Sequence, residues 1–237
     1  ICKDMNEKGS ADNETHHLTL LAENNEGYQN LLKLVSSGHL EGFYRKPRID
    51  FNKLINNSKG IIVLSGCLGG ELSQLILSER YKEARDLALT YQFIFGNRYY
   101  IEIQRHPNNT EQCKVTPQLI KLAKELDIQM VATCDSHYTN KEDKYTHEVL
   151  LAIQTGKKMT DPKRMSLANN DIYVASSEEV YNTFNDIPEA IENTQKIADR
   201  CNVDIELGKI KLPPYNKKFS SNYDDELAYM CRMYCDK

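Results

Sequence analysis

Apolar residues recur along the chain with two different spacings, which predict alternating strands and helices. Four apolar runs are predicted to be strands, at residues 16–22, 60–66, 99–104 and 131–138. Between them, apolar residues at helical spacing predict helices at residues 26–37 (ended by Gly38), 52–55 (with Asp50 as N-cap), 71–78, 80–95 and 115–126. This order predicts an α/β fold built on a parallel sheet or barrel with right-handed crossovers.

The chain after residue 140 has a more helical pattern. Helices are predicted at residues 141–156, 176–184 and 187–201, the second with a serine cap and an acidic first turn. Two more strands are predicted, a short one at 171–177 and a final one at 201–215. A polar linker at 216–226 and a last helix from about Tyr223 complete the pattern. Because a closed eight-stranded barrel needs roughly 250 residues, we expect an incomplete barrel.

Composition indicates a folded chain and excludes several classes of protein. The 237 residues are 40% hydrophobic and 27% charged, with enough apolar material for one sizeable core. The sequence contains no apolar run of about 18 residues and no signal-peptide pattern at its start, so we expect a cytoplasmic protein without membrane contact. Seven cysteines without a Cys-x-x-Cys motif argue against a disulfide framework or a zinc knuckle.

The net charge of −4 gives no overall basic field for nucleic acid. Two local clusters could still contact phosphate, although a solvated charged surface is the alternative for each. They comprise Arg45, Lys46 and Arg48, and Lys157, Lys158, Lys163 and Arg164.

Residues able to bind metal lie at the ends of three of the predicted strands or directly after them. Asp135 and His137 lie two apart in the run VATCDSHY, and side chains two apart in a strand share a face. A lone pair of this kind is more often a turn or a cap. Cys67 follows the second predicted strand, however, and His106 follows the third. Because ligands collect at the carboxyl ends of strands in such folds, these four residues predict a metal site. His16 and His17 are predicted to be structural, and His147 is predicted to support the site as a hydrogen-bond donor.

Longer motifs carry a resemblance to a known family. The chain resembles the PHP (polymerase and histidinol phosphatase) domain of bacterial DNA polymerase III alpha subunits. The matching stretches cover nearly the whole chain: HLTLLAENNEGYQNLLKLVS, GFYRKPRID, LSGCLGGE, VATCDSHY, HEVLLAIQTGK, DPKRM and IPEAIENTQKIADRCNVDIELGKIKLPPY. The resemblance implies a partial PHP-type distorted (β/α)7 barrel. It also implies that Cys67, His106, Asp135 and His137 bind divalent zinc, manganese, iron or magnesium. A cysteine ligand suits zinc or iron better than magnesium.

The resemblance also implies a domain organisation. Residues 1–210 are expected to form the larger, C-terminal part of a PHP domain that lacks its first metal-ligand strands. Residues 211–237 are expected to form a linker and the first helix leading to the polymerase domain. The chain is therefore expected to be a fragment without the polymerase active site, and to show no polymerase activity alone.

Function follows from the resemblance as an expectation. The parent protein would carry out DNA-directed DNA synthesis, and the PHP domain would hydrolyse phosphoesters, with 3′-5′ exonuclease proofreading as one role. Arg48 and Arg164 would orient a carboxylate or phosphate. Expected partners are primer-template DNA, dNTPs, the sliding clamp, the clamp loader and a proofreading subunit. Two alternatives are a free-standing phosphoesterase and a non-catalytic scaffold.

Overall fold

The computed structural model describes residues 1–9, 14–210, 212, 215–218 and 221–235. It shows a mixed α/β fold in which helices flank a four-stranded sheet, as predicted. The elements are β1 (Thr19–Ala22), α1 (Asn25–Leu40), α2 (Phe51–Asn56), β2 (Ile61–Leu64), α3 (Glu71–Leu77), α4 (Tyr81–Phe95), β3 (Tyr99–Ile103), α5 (Thr110–Leu126), β4 (Met130–Ala132), α6 (Lys144–Gln154), α7 (Ser177–Phe184), α8 (Pro188–Arg200) and α9 (Tyr223–Cys235). Short 3₁₀ turns occupy Gly96–Arg98 and Lys141–Asp143.

The chain divides into two compact units, Ile1–Asp204 and Ile205–Lys237. The first unit contains the whole sheet and helices α1 to α8. The second contains α9, where Glu226 is buried and accepts a hydrogen bond from the Lys218 backbone N–H. Within the described residues, no helix is long and apolar enough to cross a bilayer.

The sheet has the order β1-β2-β3-β4, and only part of it is parallel. Strands β2, β3 and β4 run parallel, as predicted. The prediction was wrong for β1, which pairs antiparallel with β2, with Ala22 opposite Ile61. The chain returns to the same end of the sheet because α1 begins directly beside the start of β2. A Cβ on Gly27 would lie 1.7 Å from the carbonyl oxygen of Gly60, a contact that only glycine permits at this position.

Three strand predictions were wrong, one in its length and two in the presence of a strand. Strand β4 ends at Ala132, so Asp135 and His137 lie in the following loop and the argument from strand alternation was wrong. Asp135 has a left-handed backbone with φ +49°, which a pleated strand does not allow. Residues 171–177 contribute only an isolated bridge between Tyr138 and Tyr173, not a strand. Residues 201–210, 212 and 215 form no strand, and the rest of that predicted strand lies outside the described residues.

The helices agree better with the prediction, because their caps are local. Asp50 caps α2 by accepting a hydrogen bond from the Lys53 N–H, and Ser176 caps α7 in a capping box, both as predicted. Gly38 does not end α1, which runs on to Leu40; it is buried close to the Arg48 carbonyl, where a larger side chain would be crowded. Helix α5 starts at Thr110, earlier than expected, because Asn109 caps it.

Helices cover both faces of the sheet, so its inner strands are buried on both sides. All residues of β2, β3 and β4 are buried, which explains their continuous apolar pattern. Helix α8 packs on β4, and the buried Asn193 side chain donates a hydrogen bond of 2.8 Å to the carbonyl oxygen of Met130. The buried sheet is thus a rigid base for the loops at its carboxyl end.

A buried carboxylate holds the long loop after α6. Glu148, which is 5% exposed, accepts hydrogen bonds from the Arg164 guanidinium, the Ser166 hydroxyl and the Leu167 backbone N–H. The loop ends at Ile172, whose carbonyl oxygen accepts a hydrogen bond of 2.7 Å from the His137 N–H. Glu148 therefore fixes the segment that borders the predicted metal ligands.

Replacing Glu148 by Gln is expected to loosen this loop. Burial alone would raise the pKa of Glu148, but its hydrogen bonds outweigh burial and hold the pKa below the usual value. Removing the charge should cost about 2 kcal/mol of local stability, so the Leu167 amide should exchange roughly 30-fold faster at pH 7. Hydrogen exchange read by mass spectrometry measures this directly.

The effect of Glu148→Gln on amide exchange should depend on pH, and a second variant serves as a matched control. With a lowered folded-state pKa, stabilisation by Glu148 is fully present above its unfolded-state pKa of about 4.3 and is lost as pH falls through the folded-state value. The difference between wild type and Glu148→Gln should thus narrow in acid. Glu125→Gln, at an exposed pair with Lys121, should leave exchange unchanged. Equal exchange in wild type and Glu148→Gln at pH 7 would show that this carboxylate does not hold the loop.

Candidate functional site

A cavity of about 410 Å³ lies at the carboxyl end of the parallel strands. Two of the four predicted ligands, Cys67 and Asp135, line it. His106 follows β3 and His137 follows β4, both at this end of the sheet, but neither residue lines the cavity. Other chemically capable side chains on its wall are His17, Lys46, Arg48 and Glu102.

Cys67 projects from the turn after β2, which Gly66 makes possible with its φ of +85°. Its Sγ lies 3.4 Å from Nδ1 of His17. Two ligands of one tetrahedral zinc ion, with bonds of about 2.3 Å to sulfur and about 2.0 Å to nitrogen, lie roughly 3.5 Å apart. Burial raises the pKa of the Cys67 thiol, and the charges of Asp135 and Glu102 raise it further. A bound cation would reverse this effect and favour the thiolate.

His17 is a site residue that the sequence analysis missed. It lies two residues before β1 and forms an isolated bridge with Gly70, in the turn that carries Cys67. Because β1 is antiparallel, its beginning lies beside the carboxyl end of β2. His17 was predicted to be structural, and the antiparallel pairing of β1 with β2 is what brings it to the carboxyl end of β2.

Glu102 is the second residue that was missed. It is the last residue but one of β3, is 6% exposed and lines the cavity. Its carboxylate accepts hydrogen bonds from the side chains of Thr19 (3.3 Å), Gln104 (2.8 Å) and Thr133 (2.6 Å). No lysine or arginine forms an ion pair with it among the described residues. A charged residue inside a continuous apolar run was the signal in the sequence, because a buried carboxylate requires compensation.

His106 is buried, with 3% of its surface exposed, and neither ring nitrogen has a hydrogen-bond partner among the described residues. Burial lowers the pKa of His106 and outweighs the opposing effects of the Asp135 and Asp171 charges and of the nearby Asp171 backbone, whose approach to the ring falls short of hydrogen-bond geometry. The ring is therefore neutral at physiological pH, the form that binds metal ions. Buried polar atoms without partners are rare and call for an explanation, which an ion would supply.

His137 is exposed and lies in the loop after β4. Its Nδ1 lies 2.5 Å from the carbonyl oxygen of Asp135, which fixes the ring as a donor at that nitrogen. The ring also contacts His147, with centroids 5.8 Å apart, and His147 in turn contacts Tyr138. His147 thus lies beside His137, and its supporting role as a hydrogen-bond donor stays a prediction.

The two predicted arginines have different surroundings. Arg48 is buried on the cavity wall and donates hydrogen bonds to the carbonyl oxygens of Gly42 and Met5. Arg164 binds the Glu148 carboxylate and does not line the cavity. A role for either arginine with phosphate stays a prediction.

The donor set fits a divalent cation in part. Cys67 and His17 have the separation of two ligands of one ion, Glu102 and Asp135 supply negative charge, and His106 has unused nitrogens. Over the described part of the chain, however, no three histidine, cysteine or acidic side chains converge tightly enough to hold an ion. Any further ligand must come from a shift of these side chains or from outside the described residues.

The chain is similar to known proteins in sequence. A family model for the PHP domain matches residues 4–106. The chain is 44% identical over 187 residues to DNA polymerase III subunit alpha of Borreliella burgdorferi, a match that covers 79% of the chain and 16% of the relative. The same protein of Deinococcus radiodurans is 46% identical over 199 residues, covering 81% of the chain and 15% of the relative.

A third relative matches almost the whole chain. DNA polymerase III subunit alpha of Helicobacter pylori is 36% identical over 250 residues, covering 97% of the chain and 21% of the relative. The chain thus spans about a sixth to a fifth of the length of the curated relatives it matches. The PHP family is in general metal-dependent, and the sheet with its flanking helices is consistent with a partial PHP-type barrel. The chain is therefore similar to the PHP domain family over residues 4–106 and is homologous, over most of its length, to a segment of bacterial DNA polymerase III alpha subunits.

Proposed function

We propose that the chain is part of a replicative DNA polymerase alpha subunit and that its PHP domain hydrolyses phosphodiester bonds with the help of divalent cations. One observation carries the hydrolytic part: Cys67 and His17 meet at 3.4 Å inside a cavity that two carboxylates also line. The relatives, all named DNA polymerase III subunit alpha, support the polymerase context.

The residues of the cavity divide into roles by their chemistry. A sulfur and a ring nitrogen at ligand spacing suit zinc or iron better than magnesium, so Cys67 and His17 would hold the first cation. Asp135, His106 and His137 would be the further ligands, because carboxylate oxygens and imidazole nitrogens both bind divalent cations. Cations bound there would activate water and neutralise the charge of a phosphate. Arg48, held rigid by two carbonyl groups, would face that phosphate from the wall.

The activity of the whole protein belongs to the same proposal. DNA-directed DNA synthesis would use primer-template DNA and dNTPs in parts of the relatives that this chain does not span. The sliding clamp, the clamp loader and a proofreading subunit would be its partners in the cytoplasm. A free-standing phosphoesterase is less well supported, because the relatives are roughly five to six times longer than the segment matched.

A scaffold role is favoured by one specific observation. No three metal-binding side chains converge within the described residues, so the domain could stabilise the polymerase without holding an ion. The two proposals differ in metal content. A hydrolase should carry stoichiometric divalent metal on the full-length protein, and a scaffold should not.

Asp135→Asn and His137→Ala, each in the full-length protein, are expected to lower bound metal and 3′-5′ exonuclease activity at least about tenfold, because each removes a ligand. Primer extension should remain largely intact. Metal analysis by mass spectrometry, together with exonuclease and extension assays, measures the three quantities. Asp127→Asn is a matched control, since Asp127 is exposed and also has a left-handed backbone, with φ +53°. Unchanged metal content in both site variants would mean that these residues are structural.

His17→Gln tests the ligand that the structure adds to the predicted set. Gln cannot replace the imidazole nitrogen at a tetrahedral site, so metal affinity should fall at least about tenfold. Competition against a chromogenic chelator measures the affinity. His39→Gln, at an exposed position on α1, should retain wild-type affinity. If His17→Gln binds metal as tightly as wild type does, the Cys67–His17 pair is a hydrogen bond and not a ligand pair.

A further inference from the structure

A second cavity, of about 530 Å³, adjoins the candidate site and has a different character. It shares Thr15, His16, Lys46 and Arg48 with the first cavity, so the two cavities adjoin along these residues. Three cationic side chains line it, those of Arg45, Lys46 and Arg48. Glu14 is the one carboxylate among the described lining residues.

The segment that carries these cations is held in a fixed shape. The Tyr44 N–H donates a hydrogen bond of 3.1 Å to the Lys46 carbonyl oxygen, which closes a tight turn at Arg45. Arg45 takes up a left-handed backbone with φ +62°, a conformation that disfavours ordinary residues by roughly 1–2 kcal/mol. Arg48 restrains the segment that carries the turn, because its buried side chain donates hydrogen bonds to the Gly42 and Met5 carbonyl oxygens.

The charged groups are also arranged around one aromatic ring. The guanidinium carbons of Arg45 and Arg48 each lie 5.4 Å from the ring centroid of half-buried Tyr44. Packing of this kind limits the freedom of the Arg45 side chain, so less entropy is lost when it binds an anion. Arg45 and Lys46 remain exposed and thus accessible to a ligand.

We propose that this cavity is a phosphate-binding subsite for the backbone of a single-stranded nucleic acid, with Arg45 and Lys46 as the contacting groups. The inference rests on the proposed function, because it places the subsite on the path into the hydrolytic cavity. A cavity of about 530 Å³ is large enough for about one or two nucleotides of a single strand. Excess positive charge on a rigid turn, adjoining a site for phosphodiester chemistry, favours this ligand over an acidic protein segment.

Photocrosslinking tests the subsite without requiring hydrolysis. The full-length protein is irradiated in EDTA with a single-stranded oligothymidylate that ends in 4-thiothymidine, and labelled tryptic peptides are mapped by mass spectrometry. The peptide that contains Tyr44 should be labelled. Arg45→Asn combined with Lys46→Gln should weaken this labelling roughly 25-fold at about 0.1 M salt, because each phosphate contact to a single strand contributes a factor of about five. Asn is chosen because it tolerates the left-handed backbone.

A control variant removes the same charge elsewhere. Arg85→Gln combined with Lys114→Gln changes exposed positions on α4 and α5 that line neither cavity, and it should label like wild type. Equal labelling in the two double variants would overturn the subsite, and so would failure to label the Tyr44 peptide in wild type. Competition by an oligoglutamate peptide as effective as unlabelled oligothymidylate would overturn it in favour of a protein partner.

The outcomes for the subsite and for the proposed function are separate. A labelled Tyr44 peptide in a protein that neither binds metal nor hydrolyses DNA would support the subsite and overturn the hydrolytic function. An active, metal-bound protein whose Tyr44 peptide is never labelled would support the hydrolytic function and overturn the subsite.

Discussion

The buried carboxylate of Glu102 is the constraint on which the candidate site depends. It lies in β3 and accepts hydrogen bonds from Thr19 on β1, Gln104 just after β3 and Thr133 just after β4. These contacts tie together three strands at the end where the site lies. All three donors are neutral, and a buried carboxylate without a cationic partner is unfavourable by several kcal/mol unless charge is supplied from elsewhere. The fold therefore holds a buried carboxyl group at the end of the sheet where the site lies, and a bound cation would compensate its charge.

The antiparallel entry of β1 completes that arrangement. In a wholly parallel sheet, residues before β1 would lie at the amino end, far from the loops that carry Cys67 and Asp135. Because β1 runs the other way, His17 arrives beside Cys67 at the carboxyl end. The loop after α6, held by Glu148, brings Asp171 and Ile172 against His106 and His137 from the other side. Segments from five parts of the chain thus converge on one end of the sheet.

Sequence reasoning was reliable where the determinants are local. Asp50 and Ser176 were recognised as caps because a cap depends on a few neighbouring residues. Strand direction was not recognised, because it depends on contacts between segments distant in the sequence, such as the close approach of Gly27 to Gly60, which no periodicity reveals. Residues 171–177 have the composition of a strand, but they form only one bridge because no neighbouring segment offers a continuous partner. For Cys67 and Asp135, the rule that chemistry collects at strand ends placed both residues on one cavity.

X-ray absorption spectroscopy of the zinc-loaded full-length protein, compared with its Cys67→Ser variant, tests the central claim that Cys67 and His17 share one cation. The account predicts a sulfur neighbour at about 2.3 Å in wild type that disappears in Cys67→Ser, while nitrogen and oxygen neighbours at about 2.0 Å remain. Cys113→Ser, at an exposed position on α5, should keep the sulfur neighbour. A zinc spectrum with the same sulfur contribution in wild type and Cys67→Ser, or with none in either, would contradict the account.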